Sequence, residues 1–576
     1  MMDSVTWKIG GEAGFGIMAS GTMLSRIFSR KGYHTLATNE YPSLIRGGHN
    51  VITVRIAKDT FESLNRDVHL LVALNPETIN LHKKELSDNA LILYDSQDPE
   101  PKDFPKPVRL IAIPLRELVA KASGDPIMRN TVAIGATVAL LGAPFESLES
   151  VIRDQFKKKG EEIVNSNVGF ARAGYDYVKQ NFAKEQSMYL AGAQKEEEQL
   201  IISASEAVGV GAVRAGLKFA AIYPMTPINA VITYLADYAK KLNIVYKQPE
   251  DEIAGINMAI GASLGGVRSM VATSGGGFAL MVEGLAWSGM IEAPIVIDMG
   301  MRVGPSTGMP TWTEQGELQF IIHAGHGEFP RIVLAPADAA DAYTMTTHAF
   351  NLADRYQVPV FVLTDKYINE SQWCVPKSVM SGEVVIDRGK LVKESDLPAD
   401  GSFKRYNLSS EDGVSPRSIP GMKNGYYIAN SYEHDELGHV TENPAARVAM
   451  ATKRLKKFDA IRKDIMPPQV IGDPEAEITF VSWGSTRGPI VEAMKLLQAK
   501  GKKVKLVHFP WVYPFPTEEA FKLLSPATRL IDVEQNATGQ MAALIRGETG
   551  ILIKEKILKF DGRPFFPEEI VEKVGI

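Results

Sequence analysis

The chain has 576 residues, of which 45% are hydrophobic and 23% charged, and a formal net charge of −5. That length exceeds what one hydrophobic core supports, so three or four domains are expected, and the mild acidity gives no reason to expect nucleic acid or an anionic membrane as a partner. No run of about 18 apolar residues suggests a membrane span, and the N-terminus has no basic start, apolar core and small-residue cleavage site, so a cytoplasmic location is expected.

The first 190 residues read as one α/β domain. Strand-type runs are VTWKI (5–9), VITVRI (51–56), VHLLVAL (68–74), ALILYD (90–95) and VRLIAIP (108–114), with helical patterns over 129–156 and 160–184. Strands alternating with helices predict a parallel sheet. GGEAGFG follows the first strand and opens a helix, where backbone N–H groups can cradle phosphate. Its glycines, Gly11, Gly14 and Gly16, depart from the dinucleotide spacing, although an acid, Glu40, follows at roughly the expected distance. A plain tight turn, a phosphate or coenzyme contact and a nicotinamide site stay open at this point. Arg46 precedes Gly47 and Gly48. It is either an ordinary surface arginine on a hairpin-like loop or a planar fork for a carboxylate or phosphate.

AGAQKEEEQL (191–200) reads as a linker. A second α/β domain, 201–375, carries FAAIY (219–223), SMVAT (269–273), PIVID (294–298), RIVLA (331–335) and PVFVL (359–363). Residues 376–470 read as an extended connector with a basic helix, RVAMATKRLKKFDAIRK, whose charges are expected on a solvated face. Residues 471–576, with EITFVSW, KVKLVHF and TRLIDVEQN around a helix at 487–500, read as a small doubly wound domain. The single cysteine, Cys374, reads as a small buried thiol. It excludes an internal disulfide framework, a Cys-rich zinc site and an iron–sulfur cluster held by this chain alone, which takes about four thiolates.

Candidate site residues concentrate between Ala221 and Thr311, each just after a strand-type run, as in an open α/β sheet that binds ligand at its strand carboxyl ends. In YPMTP, Pro224 and Pro227 fix the backbone around Thr226. Glu252 heads a helix of small residues, EIAGINMAIGASLGG. It is either a favourable N-terminal acid or a functional carboxylate facing a cofactor nitrogen. TSGGGFALM is similar to a phosphate-cradling turn without the lysine of a P-loop. RVGPSTGMPT places Arg302, Ser306, Thr307 and Thr311 on one loop, a donor set that suits an anionic ligand.

At these residues the chain resembles the α subunits of 2-oxoacid:ferredoxin oxidoreductases, specifically the 2-oxoglutarate type, with the γ domain fused at the N-terminus. YPMTP matches the YP-x-TP turn of that family, and RVGPSTGMPTWTEQGEL its GPSTG-x-PT-x-TEQ signature. The resemblance implies a γ-like domain to about 190, a thiamine diphosphate pyrimidine-type domain to about 375 and a transketolase C-terminal-like domain from about 471. It implies thiamine diphosphate bound at Tyr223, Pro224, Thr226 and Glu252, with Glu252 on the aminopyrimidine N1′ and Thr226 beside cofactor and substrate. It further implies that Arg46, Arg302 and Thr311 contact the 2-oxoacid, Arg46 pairing with the distal carboxylate of 2-oxoglutarate.

No GDG motif with a following Asn pair is present, so no metal site is assigned to this chain. The resemblance implies that a β subunit brings the diphosphate site, Mg²⁺ and a four-iron four-sulfur cluster, that ferredoxin and coenzyme A take part, and that the assembly is (αβ)2. Met225, Trp312 and Glu317 depart from the commoner residues at their positions, and the last two bear on substrate preference. Pyruvate or a broad 2-oxoacid range is the alternative to 2-oxoglutarate. A non-catalytic nucleotide-binding subunit and a nicotinamide dehydrogenase rest on GGEAGFG alone; the first would need neither Glu252 nor Arg302, and the second is opposed by the glycine spacing.

Overall fold

The computed structural model describes residues 3–44, 47–185, 193 and 197–575. They form two compact units: Met1–Ile202 with Ser371–Val379 and Phe566–Ile576, and Ser203–Glu370 with Met380–Phe565. No helix among the described residues is long and apolar enough to cross a membrane.

The first unit is built on β1 (Ser4–Glu12), β2 (His34–Glu40), β3 (His49–Ala57), β4 (Val68–Ala73), β5 (Leu86–Asp95), β6 (Val108–Ile113) and β7 (Gln199–Ile202). Their order in the sheet is β6-β5-β4-β1-β3-β2, followed by β14 (Gln372–Pro376) and β7. Alternation along β1 sends Val5, Trp7 and Ile9 into a core shared with Leu24 and Ile27 of the helix Ile17–Ser29 and with Val132 of the helix Arg129–Leu140. That second helix meets Glu161–Asn181 almost backbone to backbone. A side chain on Gly135 would start 1.9 Å from the Ala171 carbonyl, and one on Gly174 2.0 Å from that of Val132.

The sheet is not parallel throughout, as the β/α alternation suggested. β1, β4, β5 and β6 are parallel, but β3 pairs antiparallel with both β1 and β2, and β14 pairs antiparallel with β2 and β7. The connection from β2 to β3 spans only 41–48, too short for a crossover helix, so an antiparallel pair is the available geometry. Strand β14 falls inside the 201–375 segment read as a second domain, yet its backbone partners belong to the first sheet. Cys374 sits on it, half-buried, and burial pushes its thiol pKa up.

In the second unit β8 (Leu217–Ala221), β9 (Val245–Lys247), β10 (Arg268–Thr273), β11 (Ile295–Met301), β12 (Ile332–Leu334) and β13 (Pro359–Asp365) are all parallel, in the order β12-β13-β11-β10-β8-β9. A further sheet holds β15 (Gln469–Gly472), β16 (Ile478–Trp483), β17 (Val504–Phe509), β19 (Leu530–Glu534) and β20 (Glu555–Leu558), while the short β18 (Trp511–Tyr513) edges the preceding one beside β12. Ile297 and Phe361 of one sheet share a single core with Trp483 and Phe509 of the other.

Residues 376–470 are mostly irregular apart from the helix Pro444–Ile461. The basic face of that helix is not solvated. Lys453, Arg454 and Lys457 are 4%, 3% and 1% exposed. Lys453 Nζ lies 2.6 Å and Lys457 Nζ 2.6 Å from the carboxylate of Glu292, and Arg454 pairs with Glu433 at 2.8 Å. Burial works to raise the Glu292 pKa, but Lys453, Lys457 and Arg405 outweigh it and hold the carboxylate well below its usual range. A second buried carboxylate, Asp354, pairs with Arg268 at 2.8 Å, Arg388 at 2.7 Å and Arg417 at 3.0 Å. Charge pairing thus helps to fasten this segment, beside buried apolar side chains such as Tyr406, Met450 and Ile461.

Candidate active site

The carboxyl ends of the parallel strands of the second unit carry the site residues. After β8, Tyr223 and Pro224 are exposed, and the turn closes through a bond from Ile228 N to the Met225 carbonyl. The carbonyl of Thr226 accepts from Arg302 Nη1 at 2.9 Å, and its hydroxyl accepts from Asn229 Nδ2 at 3.5 Å. The turn thereby meets the arginine through its backbone.

After β9, Asp251 caps the helix Glu252–Leu264 by accepting from Ala254 N at 2.8 Å. Capping is therefore done by Asp251, which leaves the Glu252 carboxylate free of that task. Glu252 is 3% exposed, and its Oε1 is buried with no hydrogen-bond partner. Leaving a buried acceptor unsatisfied costs about 1–3 kcal/mol, so this atom is poised for a donor from a ligand.

After β10 the three glycines are not a loop ahead of a helix, as TSGGGFALM suggested. They are the first turn of the helix Gly275–Met290. Their lack of side chains makes room for carboxyl groups. A Cβ on Gly277 would lie 2.3 Å from Glu252 Oε1 and 2.2 Å from Thr273 Oγ1, and one on Gly275 would lie 2.5 Å from Glu317 Oε1. Ser274 Oγ and Glu317 Oε2 are also buried without partners. Three unsatisfied polar atoms thus surround one helix start.

After β11 the loop from Arg302 to Glu317 is held along its length. Glu314 accepts from Gly304 N at 3.1 Å, and Thr313 Oγ1 donates to Asp365 at 3.2 Å. Gln315 Nε2 donates to the Trp483 carbonyl at 2.9 Å, its Oε1 accepts from Gln535 N at 3.0 Å, and its carbonyl accepts from Asn536 Nδ2 at 3.1 Å. The Arg563 guanidinium stacks on Trp312 at 3.5 Å. Thr311 is buried, Arg302 is half-buried, and Ser306 and Thr307 are exposed, so the four expected donors do not share one environment. Arg46 lies outside the described residues.

Charge is scarce and dehydrated here. Burial lowers the Arg302 pKa, with Glu317 opposing. Burial, reinforced by Glu314 and opposed by Arg302, raises Glu317 to about 8. Asp298 on β11 is fully buried with neither oxygen bonded, and burial raises it to about 7. Asp365 is raised to about 6 by burial, against hydrogen bonds from Ser485 and Thr313. Sequence reasoning overlooked Asp251, Asp365, Trp483, Gln535 and Asn536, which lie outside the two motifs. Glu317 stood inside the second motif but registered only as a departure.

Residues 210–453 match the family described as pyruvate flavodoxin/ferredoxin oxidoreductase, thiamine diP-bdg; residues 6–177 match pyruvate ferredoxin/flavodoxin oxidoreductase, and residues 476–570 match pyruvate:ferredoxin oxidoreductase core domain II. The chain is 32% identical to the α subunit of 2-oxoacid:ferredoxin oxidoreductase 2 of Aeropyrum pernix, over 100% of this chain and 97% of that one. It is 33% identical to the 2-oxoacid:ferredoxin oxidoreductase α subunit of Saccharolobus solfataricus, over 99% and 97%. A structure of 2-oxoglutarate:ferredoxin oxidoreductase from Magnetococcus marinus, with 2-oxoglutarate, coenzyme A and succinyl-CoA bound, superimposes with a TM-score of 0.91 at 33% identity, covering 100% of this chain and 99% of that one. With its matched domains and a carboxylate-ringed helix start at the strand ends, the chain belongs to the α-subunit family of the 2-oxoacid:ferredoxin oxidoreductases.

Proposed function

We propose that this chain is the α subunit of a cytoplasmic, thiamine diphosphate-dependent 2-oxoglutarate:ferredoxin oxidoreductase that interconverts 2-oxoglutarate and coenzyme A with succinyl-CoA and CO₂. The observation that carries the reading is Glu252: a buried carboxylate, relieved of capping by Asp251, whose Oε1 lacks a donor beside the Gly275–Gly277 turn. That atom fits an aminopyrimidine ring, with which it would share a proton at N1′. Once bound, thiamine diphosphate supplies the nucleophilic carbon for the 2-oxo group and the sink for the electrons that CO₂ leaves behind. Arg302, held by the Thr226 carbonyl, orients the substrate carboxylate, and the buried Thr311 lies on the same loop. On this reading Arg46 takes the distal carboxylate, and Tyr223 and Pro224 border the cofactor.

The rest of the site comes from a β subunit. This chain has one cysteine, so the cluster that passes electrons to ferredoxin needs thiolates from elsewhere. The helices Glu252–Leu264 and Gly275–Met290 also expose apolar side chains, Ile253, Met258 and Leu280 being about half exposed beside the exposed Asn257 and Glu283. Beside them is a groove of about 790 Å³ lined by Ile253, Leu280, Trp287 and Tyr432. Exposed apolar side chains gathered beside a groove mark an interaction surface, and we assign this face to the β subunit that brings the diphosphate site, with its Mg²⁺ and four-iron four-sulfur cluster, in an (αβ)2 assembly.

A broad 2-oxoacid range is the second reading, favoured by the names of the Aeropyrum and Saccharolobus relatives. The test is coenzyme A-dependent viologen reduction by the co-purified complex with 2-oxoglutarate, pyruvate and 2-oxobutyrate. A kcat/KM for 2-oxoglutarate at least about tenfold above the others supports the first reading. Comparable values support the second, and no turnover of any of them defeats both.

A further inference from the structure

Glu317 and Arg302 act on each other's charge, each opposing what burial does to the other. Its Oε1 occupies the space that a side chain on Gly275 would take, and its Oε2 is buried with no hydrogen-bond partner. The charged groups acting on it are Glu314 from its own loop and Arg302 from the end of β11. Arg302 directs Nη1 to the Thr226 carbonyl. A charged Glu317 would therefore be dehydrated on one oxygen and repelled by Glu314, with Arg302 and its own backbone N–H to compensate.

A neutral Glu317 carries a proton, relieves the repulsion and leaves the Arg302 charge uncommitted. We propose that Glu317 is a positioning residue for the oxoacid: held as the neutral acid in the resting site, it keeps Arg302 available to the substrate carboxylate, and when ionised it competes with that carboxylate for the guanidinium. Burial and Glu314, which together raise its pKa to about 8 against the pull of Arg302, act in the same direction. The competition is electrostatic, so it acts on substrate capture and leaves the bond chemistry untouched.

The inference rests on the oxoacid reading of the site, and the experiment separates the two. KM and kcat for the 2-oxoacid are measured on the purified αβ complex from about pH 6 to about pH 9.5, for the wild type and for Glu317→Gln. In the wild type KM stays flat to about pH 8 and then rises toward tenfold per pH unit, with kcat tracking any other titration. Glu317→Gln, a fixed mimic of the neutral acid, loses the alkaline rise: its KM at about pH 9.5 stays within about twofold of its own KM at about pH 7. Titration of the coenzyme A thiol affects both proteins alike and cancels in the comparison.

An alkaline KM rise shared by both proteins, or absent from the wild type, overturns the proposal. If no 2-oxoacid is turned over, the functional reading fails, and infrared spectroscopy of the complex then tests the neutral acid by itself. A protonated-carboxyl C=O band at neutral pH that vanishes in Glu317→Gln supports it, and absence of that band in the wild type overturns it.

Discussion

Gln315 donates its side-chain amide to the carbonyl of Trp483 at 2.9 Å, tying the loop that carries Arg302 to the end of β16. With the bonds from Gln535 N and Asn536 Nδ2, this one residue meets three polar groups beyond the loop. The TEQ part of the signature is therefore a fastening, with Arg302 and Glu317 on either side of it.

Gln315→Ala should leave the buried Gln535 N–H without its acceptor and lower stability by about 1–3 kcal/mol. The substrate KM should rise as Arg302 loses its fixed position. Chemical denaturation and steady-state kinetics on the same preparation check both effects. A variant with unchanged KM and a lowered melting temperature would confine Gln315 to folding.

Gly277→Ala puts a methyl group 2.3 Å from Glu252 Oε1 and 2.2 Å from Thr273 Oγ1. Alanine favours a helix by up to about 1 kcal/mol over glycine, so the fold should persist. The overpacking, about 1–3 kcal/mol, should fall on the carboxylate and weaken cofactor binding roughly ten- to a hundredfold. Titration of the complex with thiamine diphosphate, followed by circular dichroism, measures it.

The parts read directly from the sequence were those set by local pattern. The runs around Trp7, Phe219, Val271, Ile297, Phe361 and Phe480 became strands because their apolar side chains suit a buried sheet. The loops carrying Thr226, Glu252 and Arg302 follow from that order, since a parallel sheet gathers loops at one end. The basic helix was misread because Lys453 and Lys457 meet a carboxylate, Glu292, that lies more than 150 positions away in the chain. Charge pattern alone does not separate a solvated face from a buried ion cluster. Three glycines suit a turn and a helix start equally, and only Glu252 and Glu317 packed against Gly277 and Gly275 decide for the second.

The ion cluster makes its own prediction. Glu292→Gln removes the anion from between Lys453 and Lys457 and leaves buried cations unmatched, a loss of about 3–5 kcal/mol. Replacing Glu292, Lys453 and Lys457 together by Leu, Met and Met should recover most of that loss. Urea unfolding of the single and triple variants checks it.

Asp298 should make stability depend on pH in a stated direction. Its pKa is raised from 3.8 to about 7 by burial, so between those values the native chain holds a proton that the unfolded chain has released. Stability from this group is therefore present at low pH and lost as pH rises through that window, by about 3 kcal/mol between about pH 5 and pH 8. Asp298→Asn should flatten the slope by that amount in urea titrations at the two pH values. An identical slope would remove Asp298 from the account.

The most direct test of the central claim is Glu252→Ala in the co-purified complex, read as coenzyme A- and 2-oxoacid-dependent viologen reduction. The account predicts an intact complex whose turnover falls at least about a hundredfold, with no activity from the isolated wild-type chain. Near-normal turnover in the variant, or activity from the chain alone, would contradict it.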